Sequence, residues 1–279
     1  MGRNIWLRTF CFFIGVQLVF CAWLKAQVVR PIVRLPYPGL CTYSRYQTDV
    51  FSFIGNQAAL ADIEKPMFGL YGERRFLLDE MGMYQLAAAF PAGRGVFGLS
   101  ATYSGFSGFN EALGGMAYAH RLGKNASLGL QVSHYSCRVP GIAQVGTIQV
   151  EAGGLIRVTP GLSLGLQFVN PAGGIPMKSG EKLPVVFRLG FGYDASEKFF
   201  VGGELVKEEN QPLCLMTGFQ YHIDRRFYAR AGFSTSNTIG FLGFGWSWNG
   251  WRMDASASHH PYLGITPGLM MQAGIGNLK

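Results

Sequence analysis

LSLGLQF at 162–168 decides how this chain is read. Taken every second residue, it splits in two. Leu162, Leu164, Leu166 and Phe168 form one set, and Ser163, Gly165 and Gln167 the other. A period of two is the period of a β-strand, whose successive side chains point to opposite faces. One face is continuously apolar and the other is small or polar. In a soluble sandwich the apolar face would pack on a core. In a membrane barrel it would meet lipid, and the small, polar face would line the interior.

The same division recurs along the chain. Phe97, Leu99, Ala101 and Tyr103 alternate with Gly98, Ser100, Thr102 and Ser104, and Phe187, Leu189, Phe191 and Tyr193 with Arg188, Gly190, Gly192 and Asp194. Phe227, Ala229, Ala231 and Phe233 alternate with Tyr228, Arg230, Gly232 and Ser234. Trp251, Met253, Ala255 and Ala257 alternate with Arg252, Asp254, Ser256 and Ser258. Aromatic residues open or close each apolar face, as the girdles of membrane barrels do. The second face is mostly Gly and Ser, where the outside of a soluble sandwich would carry more charge.

Runs of this kind, separated by Gly, Pro, Asn, Asp or Lys, predict strands at 66–76, 82–91, 95–106, 112–122, 126–136, 146–158 and 162–169. Seven more are predicted at 184–194, 198–207, 212–222, 226–235, 239–248, 251–259 and 268–276. Fourteen is an even number, as bacterial single-chain barrels require, and the run lengths suit a tilted crossing of a bilayer. Twelve strands is the alternative count. Turn chemistry falls between the runs, in LGKN at 122–125, TPG at 159–161, DASEK at 194–198, DRR at 224–226 and Asn249-Gly250, the last a strong hairpin signal.

Composition points the same way. Charged residues make up 14% of the 279, against roughly 25% in soluble domains. The 39 glycines are about twice the usual share, and aromatics reach 14%. Residues 1–26 have the form of a secretory signal peptide: Arg3 and Arg8, an apolar run over 10–24, Lys25, and a cleavage point after Ala26. An N-terminal anchor helix is the alternative, though the run is shorter than the roughly 20 residues a span needs. Without Arg3, Arg8 and Lys25, 21 basic residues face 16 acidic ones, a net of +5. The basic residues are scattered rather than gathered in a stripe, which argues against nucleic-acid binding.

Residues 27–46, with Pro31, Pro36 and Pro38, read as an extended lead-in. The stretch 47–64, QTDVFSFIGNQAALADIE, reads as a short helix or hairpin that either plugs the lumen or straps the periplasmic end. Phe51, Phe53, Asn56 and Leu60 are its candidate plug residues. Cys41, Cys137 and Cys214 follow the leader, an odd set that allows one disulfide at most and has no zinc-like spacing.

The chain resembles Bacteroidota outer-membrane proteins of the PorV/PorQ type, within the FadL-like barrel superfamily. The residues that carry the likeness are Ala26-Gln27 at the end of the leader, FSFIGNQAALA at 51–61, and ERRFLLDEMGMYQLAAAFPAGRGVFGL at 73–99. FNEALGGMAYAHRLG at 109–123, GEKLP at 180–184 and HPYLGITPG at 260–268 add to it. Gln57 stands where the FadL-like element has Pro, and the C-terminus, Gly276-Asn277-Leu278-Lys279, lacks a terminal aromatic residue. The resemblance implies a non-enzymatic outer-membrane protein without a cofactor. It implies partners among type IX secretion proteins or their cargo or, in the FadL-like alternative, transport of hydrophobic small molecules. A soluble periplasmic β-sandwich is the third reading.

The fold class expected is therefore all-β, a transmembrane antiparallel barrel of about 14 strands over 65–279, preceded by the N-terminal segment 27–64. Its inward face would carry Gln85, Gln131, Glu151, Arg157, Gln167, Arg188, Asp194, Glu204, Gln220, Arg230, Arg252 and Asp254. These residues either select solute by charge or neutralise one another in a filled lumen. No GxSxG motif occurs. His259 and His260 are adjacent, so in a strand they point to opposite faces and do not make a metal pair. The connections 137–146 and 169–184 read as external binding loops.

Overall fold

The computed structural model describes residues 41–141, 144–173, 177, 182–236 and 239–274. The expected leader over 1–26, most of the expected lead-in, and residues 275–279 lie outside the described residues.

Fourteen strands run antiparallel in chain order and close on themselves. They are β1 (Met67–Arg74), β2 (Gly82–Ala92), β3 (Gly95–Gly105), β4 (Asn110–Leu122) and β5 (Ala126–Arg138). Next come β6 (Val145–Arg157), β7 (Leu162–Val169), β8 (Val186–Asp194), β9 (Phe199–Glu208) and β10 (Cys214–His222). The circuit ends with β11 (Phe227–Ser234), β12 (Ile239–Trp248), β13 (Trp251–His260) and β14 (Gly264–Gly274). β14 pairs with β1 from Met67↔Gly274 to Glu73↔Gly268. Closure excludes both the twelve-stranded count and the soluble sandwich, which would leave two separate sheets.

The predicted strands match the observed ones to within a few residues except the last, expected at 268–276 and found at Gly264–Gly274. Pro267 falls inside the observed strand. In the barrel it lies one residue past the end of pairing with β1, where the ladder has a partner only on the β13 side, opposite Ala257. Proline is tolerated at such one-sided positions. His259, inside the expected strand, and His260, one residue beyond it, complete β13, and the His260 Nδ1 accepts backbone N–H bonds from Tyr262 and Leu263. The Asn249-Gly250 turn has both residues at positive φ, 47° and 80°, as a tight hairpin between twisted strands requires.

The two faces of the wall separate cleanly. On β7, Leu164 and Leu166 are exposed, while Ser163, Gly165 and Gln167 are buried. Phe97, Leu99, Tyr103, Phe187, Leu189, Phe191, Tyr193, Trp251 and Met253 are all exposed on the outside. An apolar exterior this continuous is untenable in water and suited to hydrocarbon. A furrow of about 960 Å³ crosses the outside of β12–β14 and β1–β4, between Leu70, Tyr84, Leu86, Tyr103, Trp246 and Leu269, and belongs to this apolar surface.

The core lies inside the barrel and is supplied by the N-terminal segment. A 3-10 turn (Cys41–Tyr43) opens the described chain, where the sequence suggests only an extended lead-in. A one-turn helix α1 (Ser52–Gly55) and a 3-10 stretch (Gln57–Asp62) follow. Asp49 and Ser52 exchange bonds that start α1: Asp49 Oδ1 accepts from Ser52 Oγ at 3.1 Å, as well as from the Phe51 N–H at 2.9 Å, and the Asp49 N–H donates to Ser52 Oγ at 3.1 Å. Val50, Phe51, Phe53, Leu60 and Ile63 pack against the inward Tyr71, Met83, Ala87, Ala89, Val96, Ala117, Ala119, Phe241 and Met270. Alanines on β2 and β4 leave room for the phenyl and leucyl side chains.

Candidate functional site

The lumen and the segment over 41–64 form the candidate site, and glycines shape their fit. A Cβ on Gly69 would lie 2.5 Å from Val50 Cγ1; one on Gly98, 3.0 Å from Leu60 Cδ2; one on Gly129, 2.4 Å from the Gln57 backbone. A Cβ on Gly153 would lie 2.2 Å from Asn56 Oδ1, and one on Gly190 would lie 2.1 Å from the Tyr43 ring. Each of β1, β3, β5, β6 and β8 thus lacks a side chain where the segment lies against it. Phe51, Phe53, Asn56 and Leu60 are all fully buried there.

Polar anchors hold the segment to the wall. Asn56 Nδ2 donates to the carbonyls of Gly154 and Leu166, a facing pair on β6 and β7, at 3.2 and 3.0 Å. Its Oδ1 accepts the Ala58 N–H at 3.0 Å. Gln57 Nε2 donates to Glu151 Oε2, and Gln57 Oε1 accepts from Gln167 Nε2 at 3.1 Å. Gln149 Nε2 donates to the other carboxylate oxygen at 2.6 Å. Glu151 is fully buried, a costly place for a carboxylate that these amide donors offset.

Asp62 pairs with Arg157 at 2.6 Å and Arg121 at 3.2 Å. Asp194 accepts from Ser44 Oγ at 2.7 Å and from the Arg45 N–H at 2.8 Å. Gln272 Oε1 accepts the Val50 N–H at 3.2 Å. The Cys41 thiol lies 3.4 Å from Gln220 Oε1, and burial pushes it up to about 11. Cys41, Cys137 and Cys214 are all free thiols, so the single disulfide the count allowed is not formed.

The twelve inward residues named from the sequence divide into two groups. Glu151, Arg157, Gln167, Asp194 and Gln220 hold the N-terminal segment, as above. The other seven bond within the wall. Gln85 Nε2 donates to Thr102 Oγ1 at 3.0 Å, and Gln131 Nε2 to Ser133 Oγ at 2.9 Å. Arg188 pairs with Glu204 at 3.3 Å. Arg230 pairs with Asp254 at 2.9 Å, and Arg252 lies 3.7 Å from the same carboxylate and 4.2 Å from the centre of the Tyr228 ring. Every arginine among the twelve therefore has a carboxylate partner. Tyr228 lies flat over Gly245, and its hydroxyl bonds Asp254 and Arg252.

Tyr43, Ser44, Asp62, Gln149, Tyr228 and Gln272 complete the site and are not among the residues expected there from the sequence. Gln149 was findable, since it stands two residues before Glu151 on one strand face. Tyr228 and Gln272 share the inward parity of their strands. Asp62 and Ser44 bond to residues about 60 and 150 positions away, and no local pattern announces that.

The geometry can hold a peptide segment in a barrel and neutralise the charges around it. Among the described residues no group of three or more His, Cys, Asp or Glu residues could hold a metal ion.

No protein-family model matches the chain, and no curated protein matches it. Solved structures do share its fold. The Ralstonia pickettii toluene transporter TbuX superposes with a TM-score of 0.63 at 11% identity, over 90% of this chain and 100% of that one. A Pseudomonas aeruginosa FadL homologue gives 0.64 at 12%, over 88% and 99%. The CymD monoaromatic hydrocarbon channel gives 0.59 at 12%, over 82% and 94%.

Proposed function

We propose that this chain is an outer-membrane barrel that passes apolar small molecules, exported by the signal peptide over 1–26 and regulated by the segment within 27–64. The observation that carries the reading is the seating of residues 41–64 inside a closed, lipid-suited fourteen-stranded barrel. That barrel has the fold of proteins described as hydrocarbon channels and toluene transporters. A filled lumen whose charges are paired or hydrogen-bonded in place offers little to a hydrated ion. An apolar solute needs only that the apolar contacts of Phe51, Phe53 and Leu60 be exchanged for its own. The chemistry is binding and passage, with no covalent step.

The test is uptake of an apolar aromatic compound by cells whose outer membrane carries the protein. Faster uptake than in cells without it, with no gain for a charged solute of similar size, supports the reading. Equal uptake with the folded barrel present in the membrane overturns it.

A second reading has an observation of its own. Gln57, unlike a proline, pins the segment to Glu151 and Gln167. A barrel kept shut in this way would act through its outer surfaces, as a PorV/PorQ-like partner in type IX secretion of a Bacteroidota cell. Co-purification of secretion proteins or cargo, with no uptake, would favour it.

A further inference from the structure

The two ends of the barrel differ in charge. β1 begins and β14 ends at the same end, where the connections are short: 93–94, 123–125, 158–161, 195–198, 223–226 and 249–250. The opposite end carries the longer ones, including 75–81, 139–144 and 170–185. Outer-membrane barrels keep their short turns on the periplasmic side.

Arg94, Lys124, Lys198, Arg225 and Arg226 are exposed on these short turns. None has a carboxylate within ion-pair distance among the described residues. The exposed carboxylates beside them are few. Asp224 has its Oδ1 committed to the N–H groups of Arg226 and Phe227, both at 2.7 Å. At the far end the exposed charges nearly balance, and Arg74 is tied to Asp79 at 2.8 Å. Among the described residues the excess of exposed positive charge therefore lies on this rim, where Glu64, Glu197 and Asp224 are the exposed carboxylates.

That rim stands at a definite depth. The outward-facing Phe97, Tyr118, Tyr221, Phe227, Trp248 and Trp251 are exposed near the same end. Aromatic side chains of this kind settle at the boundary between hydrocarbon and headgroup. Arg94 lies three residues before Phe97, Lys124 six after Tyr118, and Arg225 and Arg226 between Tyr221 and Phe227. Just beyond the aromatic level is where lipid phosphates lie. Guanidinium groups take phosphate oxygens in pairs, and cations this close to an anionic surface are attracted to it before salt can screen them.

We propose that Arg94, Lys124, Lys198, Arg225 and Arg226 form a headgroup-binding rim that selects anionic phospholipids in the leaflet at the N-terminal end of the barrel. The proposal rests on the barrel spanning a bilayer, as under the proposed function. It does not depend on what passes through.

The experiment reconstitutes the full mature chain in phosphatidylcholine bilayers containing phosphatidylglycerol. It reads the selectivity of the protein's motionally restricted lipid shell with spin-labelled forms of each lipid. Wild-type protein should show a several-fold preference for phosphatidylglycerol that falls as salt is raised. The variant R94Q/K124Q/R225Q/R226Q should fall to near parity, and the far-end variant R138Q/K207Q should keep the preference. Inorganic phosphate should reduce it no more than chloride at equal ionic strength.

A wild-type preference near parity overturns the proposal. So does a preference insensitive to salt, an equal loss in both variants, or specific displacement by inorganic phosphate, which would mark a free-phosphate site. Parity for lipid together with rim-dependent binding of an acidic peptide would assign the rim to a protein partner instead. The salt dependence of the wild type decides the matter should the fourfold variant not fold. Failure of the wild-type chain to insert, seen as loss of heat-modifiable gel mobility, would count against the membrane reading itself.

Discussion

Gln57 and Glu151 meet in the middle of the barrel, the N-terminal segment's side-chain amide donating to a wall carboxylate that has no exposure to solvent. The contact joins a residue of the N-terminal segment to one 94 positions away. Gln57→Leu keeps the volume and removes the donor. The loss should cost about 1–3 kcal/mol, as expected when a buried polar group forfeits a bond. It should appear as faster amide exchange and proteolysis over 41–64, with the barrel's gel mobility unchanged. Unaltered protection of the segment would mean that this bond does not hold it.

Gly190 and Tyr43 offer a steric counterpart. A Cβ at 190 would enter the tyrosine ring, and the ring is fully enclosed. Gly190→Val should therefore displace the first turn of the segment while β8 keeps its pairing, since valine suits a strand. Chemical labelling of the Cys41 thiol, shielded in the wild type, should become rapid. Continued shielding of Cys41 would contradict the packing described.

The outward direction of LSLGLQF can be tested with charge. Leu166→Arg places a cation on the exposed face, opposite Leu189 of β8. It should reduce folding stability in bilayers by about 2–4 kcal/mol if the side chain lies near the midplane. Near-normal stability of this variant would contradict the assigned facing.

The DRR turn carries a pH prediction. Backbone N–H bonds from Phe227 and Arg226 hold the Asp224 carboxyl below the usual carboxylate range. A carboxyl lowered in the folded state contributes its stabilisation above its ordinary value, about 3.9, and loses it as pH falls through the lowered one. The Arg226 and Phe227 amides should stay protected from exchange at pH 4 or so and lose protection only in stronger acid. Asp224→Asn should abolish that acid dependence. Loss of protection in the wild type already at the ordinary carboxylate value would refute it.

Much of this architecture was legible in the sequence because a strand's facing is local. The period of two in 162–168, the Gly and Ser on the second face, and the turn chemistry point to about fourteen strands, with twelve as the alternative, and to the inward position of residues such as Gln167 and Arg230, while the closed pairing decides the count. What escaped was long-range. Whether 47–64 plugs or straps depends on glycines spread over strands, including Gly69, Gly129 and Gly190, none of which is distinctive in its own run. The last strand begins four residues before its expected start, because Pro267 is accommodated where the ladder is paired on one side only, and pairing is a property of neighbours. Arg157 was placed on the inner face, but its partner Asp62 comes from a segment with no strand pattern. The Gln57 substitution was visible as a departure from the FadL-like element, yet its bond to Glu151 was not.

The most direct test joins the N-terminal segment to passage. Uptake of an apolar aromatic compound should be measured in cells whose outer membranes carry equal amounts of wild-type barrel or of N56A/Q57L, which removes the anchors to Gly154, Leu166 and Glu151. Uptake should be faster through the variant than through the wild type, and measurable through both. Equal or slower uptake through a variant that retains its barrel, with the segment shown by proteolysis to be loosened, would contradict it.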